Sequence, residues 1–161
     1  MVNRCIDRQS GEECAVKTLV LDREHILHLK KNFMDIKALR HPHILTYKAL
    51  FFEPKVSKCY LVTNYLPFPT LEEVEVDSEE ELKTIFFQLL KTLKYIHDHK
   101  ICHRDIKPEN ILYDKLNQSI KVIDFDISKK IEERGRKRNL LTITGTPYFR
   151  APEMFEGGGY D

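Results

Sequence analysis

One segment divides this chain into two halves of different character. From Ser78 to about His99, Leu82, Ile85, Phe86, Leu89, Leu93 and Ile96 recur at helical spacing and predict one long amphipathic helix, with His97 also on the stripe. Ser78 and Glu81 stand three residues apart as a capping box, and Glu79 and Glu80 suit the positive end of a helix dipole. Upstream the pattern is mostly β. Strands are expected near 2–7 and over 12–20, with a turn at Ser10-Gly11 between them. Ile26, Leu29, Phe33, Ile36 and Leu39 predict a helix from Asp22 to Arg40, ended by His41-Pro42 because a residue before proline avoids the helical region. Strands over 44–52 and 58–64 follow, joined by a loop with Pro54. Downstream come short strands over 110–113 and 119–125, a basic loop and a Pro/Gly-rich end. The expected class is α+β, with two unequal lobes joined near residues 64–70: one over 1–66, the other over 67–161.

Composition removes several function classes. Net charge is +1, so nothing global favours nucleic acid or an anionic membrane. The longest apolar runs are four residues, Ala49–Phe52 and Cys59–Val62, too short to span a bilayer. The first residues lack the apolar core of a secretory signal. Cys5, Cys14, Cys59 and Cys102 form no C-x-x-C pair and read as reduced thiols. An intracellular, cytoplasmic location is expected.

Four short clusters carry the chemistry. Cys14–Lys17 reads C-A-V-K, His103–Asn110 reads H-R-D-I-K-P-E-N, Asp124–Asp126 reads D-F-D, and Gly145–Glu153 reads G-T-P-Y-F-R-A-P-E. In this order they resemble the signature set of the eukaryotic protein kinases, serine/threonine type, from about Val2 to Glu153. The resemblance implies a two-lobed fold, incomplete here: a small antiparallel β lobe with one helix, and a truncated, mainly helical large lobe. It implies transfer of the ATP γ-phosphate to a protein hydroxyl, with ATP and Mg2+ as cofactors. The implied partners are a protein substrate with a Ser/Thr acceptor and an upstream activating kinase, not a nucleic acid or a membrane. The K-P-E-N loop and the threonine spacing are loosely similar to calcium/calmodulin-dependent kinases.

The same resemblance assigns roles residue by residue. Asp105 matches the catalytic base and Lys107 the lysine that contacts the transferred phosphate, which points to serine or threonine as acceptor. Asn110 and Asp124 match the Mg2+ ligands, hard oxygen donors as that ion requires. Lys17 matches the lysine on the α- and β-phosphates. Val2, Ala15 and Leu112 match apolar positions around the adenine, Thr63 the gatekeeper, and Asn64 and Leu66 the hinge backbone. Thr142 is the candidate activating phosphosite, with Thr144 a weaker one, and Arg104 would receive the phosphate. Thr146 resembles the threonine that docks near the catalytic Asp–Lys pair.

Departures from the pattern stand beside these matches. The helix glutamate that should pair with Lys17 falls at Asn32. D-F-G reads D-F-D, which places Asp126 where glycine would give conformational freedom. Met1 stands just past the position of the Gly-rich phosphate loop, and the chain stops eight residues after Glu153. A fragment with little activity of its own is therefore expected. The alternative reading is a pseudokinase or weakly active scaffold. The basic stretch 128–139 reads as a solvated activation loop, and the acidic stretch 72–81 as a connector and helix start.

Overall fold

The computed structural model describes residues 1–130 and 145–155. The chain divides into two compact units, residues 1–40 with 45–67, and residues 41–44 with those from 68 onward. Thr142, Thr144 and residues 131–139 of the basic stretch lie outside the described residues.

The first unit is a four-stranded antiparallel sheet with one helix. Its strands are β1 (Val2–Ile6), β2 (Glu13–Val20), β3 (Tyr47–Glu53) and β4 (Lys58–Asn64), in the order β1-β2-β4-β3, and α1 spans Arg23–Ala38. Asp7 builds the first turn: its Oδ1 accepts from Gln9 N–H at 2.8 Å, and its carbonyl accepts from Gly11 N–H at 2.8 Å. Gly11 there has φ +74°, a conformation that costs a side chain free energy. Asp22 caps α1, accepting from His25 N–H at 2.9 Å. The expected apolar face is the one buried: Leu29, Phe33 and Ile36 on α1, with Leu39 just past its end. α1 packs on β3. Each such side chain contributes about 1.5–3 kcal/mol of burial.

The second unit contains α2 (Glu79–Asp98), β5 (Ile101–Cys102), β6 (Ile111–Asp114), β7 (Ser119–Val122) and β8 (Lys129–Lys130). β6 and β7 form one antiparallel ladder, β5 and β8 another. Residues 41–44 join this unit through β7: Val122 N–H donates to His43 O at 2.8 Å, and Ile44 bridges Val122. The core holds Ile85, Ile96, Ile111, Tyr113, Ile120, Val122 and Phe125, each nearly or wholly inaccessible.

The orientation of α2 corrects the sequence reading. Leu82 and Phe86 are exposed, as is His97, while Glu81, Ile85, Thr92 and Ile96 are buried. Hydrogen bonds set this rotation. Gln88 holds the start of β7, its Nε2 donating to Gln118 O at 2.7 Å and its Oε1 accepting from Ile120 N–H at 2.9 Å. Glu81 accepts from the buried Tyr113 hydroxyl at 2.6 Å and from Asp77 N–H at 2.8 Å, while Ser78 Oγ accepts from Glu81 N–H at 3.1 Å. The capping box forms, with the carboxylate reaching one residue further back than the ideal pattern. Strand boundaries also move: β3 begins at Tyr47 rather than at residue 44, which belongs to the second unit. β6 begins at Ile111, after a 3-10 turn at Pro108–Asn110. β7 stops at Val122; Ile123 N–H still donates to Asn110 O at 3.0 Å in the register of the ladder, and the extended backbone ends at Asp124, whose φ is +65°. Among the described residues no helix is long and apolar enough to cross a membrane.

Candidate active site

The site in the second unit begins with a buried histidine. His103 follows β5, and its Nε2 bonds Ile123 O at 2.8 Å while its Nδ1 lies 3.3 Å from Asp105 N–H. Nδ1 must accept, so Nε2 carries the proton. The ring meets Phe125 edge-on at 4.5 Å between centroids. Burial lowers the His103 pKa and outweighs the Ile123 carbonyl and the charges of Asp124 and Asp105. A neutral imidazole thus ties the loop at 103–105 to the segment at 123–125.

Asp105 is held from three directions. Its Oδ1 accepts from the Thr146 N–H at 2.8 Å and the Thr146 hydroxyl at 2.9 Å. Its Oδ2 accepts from Asn110 Nδ2 at 2.9 Å and lies 3.6 Å from Lys107 Nζ. Lys107 donates in turn to Thr146 Oγ at 2.7 Å, so that hydroxyl donates to the carboxylate and accepts from the ammonium. Burial alone would raise the Asp105 pKa. The Thr146 donors, Lys107 and Asn110 outweigh it, and the net direction is downward. The carboxylate is therefore ionised at neutral pH.

Asn110 meets the residue before Asp124 through backbone. Asn110 Nδ2 also donates to Asp105 O at 2.8 Å, which leaves its Oδ1 as a hard acceptor. The Ile123 N–H to Asn110 O bond brings the residue before Asp124 to Asn110. One carboxylate and one amide oxygen suit Mg2+, which keeps water and takes phosphate oxygens as further ligands. Among the described residues no group of three or more His, Cys, Asp or Glu could hold a metal. Asp126 occupies a turn closed by Ser128 N–H to Phe125 O at 3.1 Å, and it is not among the residues with positive φ. In this conformation the turn does not require the glycine of D-F-G.

In the first unit the antiparallel register sets Val2 opposite Lys17, and Ala15 opposite Thr63. The two-residue period places all four on one face of the sheet. Thr63 is buried and its hydroxyl donates to Asn64 O at 3.2 Å, while Asn64 N–H donates to Thr46 O at 3.1 Å. Leu66 is half-buried beyond the end of β4. Leu112 lies in β6 of the second unit and bridges Thr70. Asn32 is buried in α1, with Nδ2 3.1 Å from His28 Nε2 one turn earlier.

The whole sequence, residues 1–161, matches the family described as protein kinase domain. The chain belongs to the protein kinase family. It is 33% identical to CBL-interacting protein kinase 9 of Oryza sativa subsp. japonica, over 96% of this chain and 35% of that protein. It is 33% identical to serine/threonine-protein kinase 4 homolog B of Dictyostelium discoideum, over 96% of this chain and 14% of that protein. Identity to the maternal embryonic leucine zipper kinase of Xenopus laevis is 32%, over 94% of this chain and 24% of that protein. The chain thus spans between about a seventh and a third of the length of these curated relatives.

Three contacts of this kinase chain escaped the motif reading, two of them at residues the motifs name. Gly145 has φ +81°, and a Cβ there would lie 2.3 Å from Arg104 O. Only glycine lets the segment lie this close to residues 104–105; its place just before Thr146-Pro147 was the available signal. Arg104 has φ +70°, donates from Nε to Ile127 O at 2.7 Å, and buries an Nη1 that has no hydrogen-bond partner among the described residues. The Glu81–Tyr113 contact had no signal, because its partners lie 32 residues apart.

Proposed function

We propose that the protein carrying this chain is an ATP-dependent serine/threonine protein kinase. The observation that carries the reading is the Asp105 carboxylate, fixed by Thr146, Asn110 and Lys107 in one hydrogen-bonded set. Phosphoryl transfer depends mainly on positioning and charge neutralisation. Asp105, ionised and oriented, would accept the hydroxyl proton of a Ser or Thr acceptor. Lys107 would neutralise charge on the moving phosphoryl group. Lys17 would hold the α- and β-phosphates, with Val2, Ala15, Thr63 and Leu112 around the adenine and the backbone of Asn64 and Leu66 at its edge. Asn110 and Asp124 would hold Mg2+, which when bound screens phosphate charge. Thr142 would be phosphorylated by an upstream kinase, and the buried Arg104 Nη1 is a donor suited to that phosphate. Residues 1–66 and 67–161 are read as parts of the N- and C-terminal lobes, acting on a protein substrate in the cytoplasm.

A second reading rests on Asn32. Bound to His28 and uncharged, it cannot give Lys17 the ionic partner of the family pattern. The protein would then be a nucleotide-binding scaffold with little turnover. Nucleotide binding tests the shared premise. Mg2+-dependent ATP binding by the full-length protein should weaken at least tenfold in Asp124→Asn. Equal affinity with and without Mg2+, in both forms, would remove the proposed metal ligands.

A further inference from the structure

Two of the four cysteines face each other across the first hairpin. The register of β1 and β2 sets Cys5 directly opposite Cys14. Cys59 faces Leu19 and Phe52, and Cys102 faces Lys129, so neither has a cysteine opposite it. All four are free thiols in this structure. We infer that Cys5 and Cys14 are a redox pair, closing a reversible disulfide across β1 and β2.

The geometry supports both formation and reversal. Backbone bonds Thr18 N–H to Met1 O and Asp7 N–H to Glu12 O, each 2.9 Å, mark alternate residue pairs as hydrogen-bonded. Cys5 and Cys14 share that parity. Their Cα atoms are therefore expected about 5.5 Å apart, inside the disulfide range of about 4.4–6.8 Å. Directly opposite Cβ atoms are about 4.5–5.5 Å apart, wider than an unstrained disulfide prefers. A strained bridge is more readily reduced, which suits a reversible one. The register is pinned on both sides: the Asp7 turn closes the hairpin, Arg4 pairs with Glu13, and Lys48 holds Glu12 at 2.7 Å. Cys5 is only half-buried and open to oxidant, whereas Cys14 is buried. The Cys5 thiol now rests against Asn3 O at 3.8 Å.

A peroxide supplies the oxidising equivalents. The Cys5 thiolate displaces hydroxide from the peroxide O–O bond and becomes a sulfenic acid. The Cys14 thiolate attacks that sulfur, the S–S bond forms, and the sulfenic oxygen leaves as water after protonation. Two thiols lose two electrons and two protons, and one hydrogen peroxide becomes two waters. A dithiol reductant reverses the step. Alternation places the bridge on the face opposite Val2, Ala15 and Lys17, so it stiffens the strands that carry them without occupying their side.

Peptide mapping tests this without any activity assay. The native full-length protein is treated with hydrogen peroxide, alkylated, and cleaved with trypsin without reduction. The expected product is residues 5–8 joined to residues 9–17, lighter by two hydrogens than the separate peptides, lost on dithiothreitol treatment and absent from Cys5→Ser. It should be the dominant linkage involving any of these four cysteines. Separately oxidised or separately alkylated Cys5 and Cys14, or linkages scattered among Cys59 and Cys102, would overturn the proposal. The wild-type map decides even if the variant does not fold.

Discussion

Replacing Gly145 with alanine isolates the contact that docks the segment around Thr146 on Arg104 and Asp105. Two costs add. A residue other than glycine at φ +81° costs about 1–2 kcal/mol. The new Cβ would also sit 2.3 Å from Arg104 O, a backbone atom with no flexible end to yield. Relief requires the segment to withdraw by roughly an ångström, given ordinary carbon contacts near 3.5 Å. Withdrawal lengthens the Thr146 N–H and hydroxyl bonds to Asp105, now 2.8 and 2.9 Å. Hydrogen bonds to a charged group contribute about 1.5–3 kcal/mol each. Losing the equivalent of one of them, on top of the backbone cost, disfavours docking by about 3 kcal/mol, roughly a hundredfold. Gly11→Ala is the control: its φ is +74°, but a Cβ there meets nothing within 4 Å, so only the backbone cost applies. Residue-resolved amide exchange reports Thr146 directly. Its protection should fall about a hundredfold in Gly145→Ala and stay unchanged in Gly11→Ala, with phosphoryl transfer reduced in parallel. Equal Thr146 protection in wild type and Gly145→Ala would refute the close-approach argument.

Other perturbations follow from the same contacts. Thr146→Val should lower kcat about 10- to 100-fold by removing the hydroxyl between Asp105 and Lys107, and Thr146→Ser should restore most of it; a KM effect alone would contradict this role. Tyr113→Phe strips a buried donor from Glu81 and should lower unfolding free energy by about 1.5–3 kcal/mol in urea titration, with a null effect under about 0.5 kcal/mol contrary to the account. Acid should loosen the second unit. Burial lowers the folded-state pKa of His103 and His41, so their contribution is complete above the unfolded value near 6.5 and is lost as pH falls toward the folded values. Protonation also removes the acceptors that His103 Nδ1 offers Asp105 N–H and His41 Nδ1 offers His43 N–H. Unfolding free energy should be lower at pH 5.5 than at pH 7.5; a flat or inverted profile would contradict the assignment.

Local pattern made the elements legible, while long-range hydrogen bonding hid how they turn. α1 and α2 were readable because their apolar residues repeat, with Pro42 marking the end of the first and the Ser78 cap the start of the second. The buried face of α2 was not, since Glu81, Gln88 and Thr92 count as polar in any hydropathy pattern. Their partners lie in the β6–β7 hairpin or, for Thr92, one turn back at Gln88 O. β5 and β8 are two residues each, too short for any period to register. Motif spacing named Asp105, Lys107, Asn110 and Thr146, and the structure brings these four together. It did not show that Asn32 turns to His28, its i,i+4 neighbour on α1, because the motifs compare Asn32 only with Lys17. Nor could it show that Asp126 fits a turn at negative φ.

Turnover by Asp105→Asn separates phosphoryl transfer from scaffolding most directly. The substitution keeps the side chain's size and removes its charge. The full-length protein and the variant should bind Mg·ATP with similar affinity, and transfer of the γ-phosphate to protein serine or threonine should fall at least a hundredfold in the variant. Equal incorporation by both forms, with binding intact, would contradict the catalytic account and leave the scaffold.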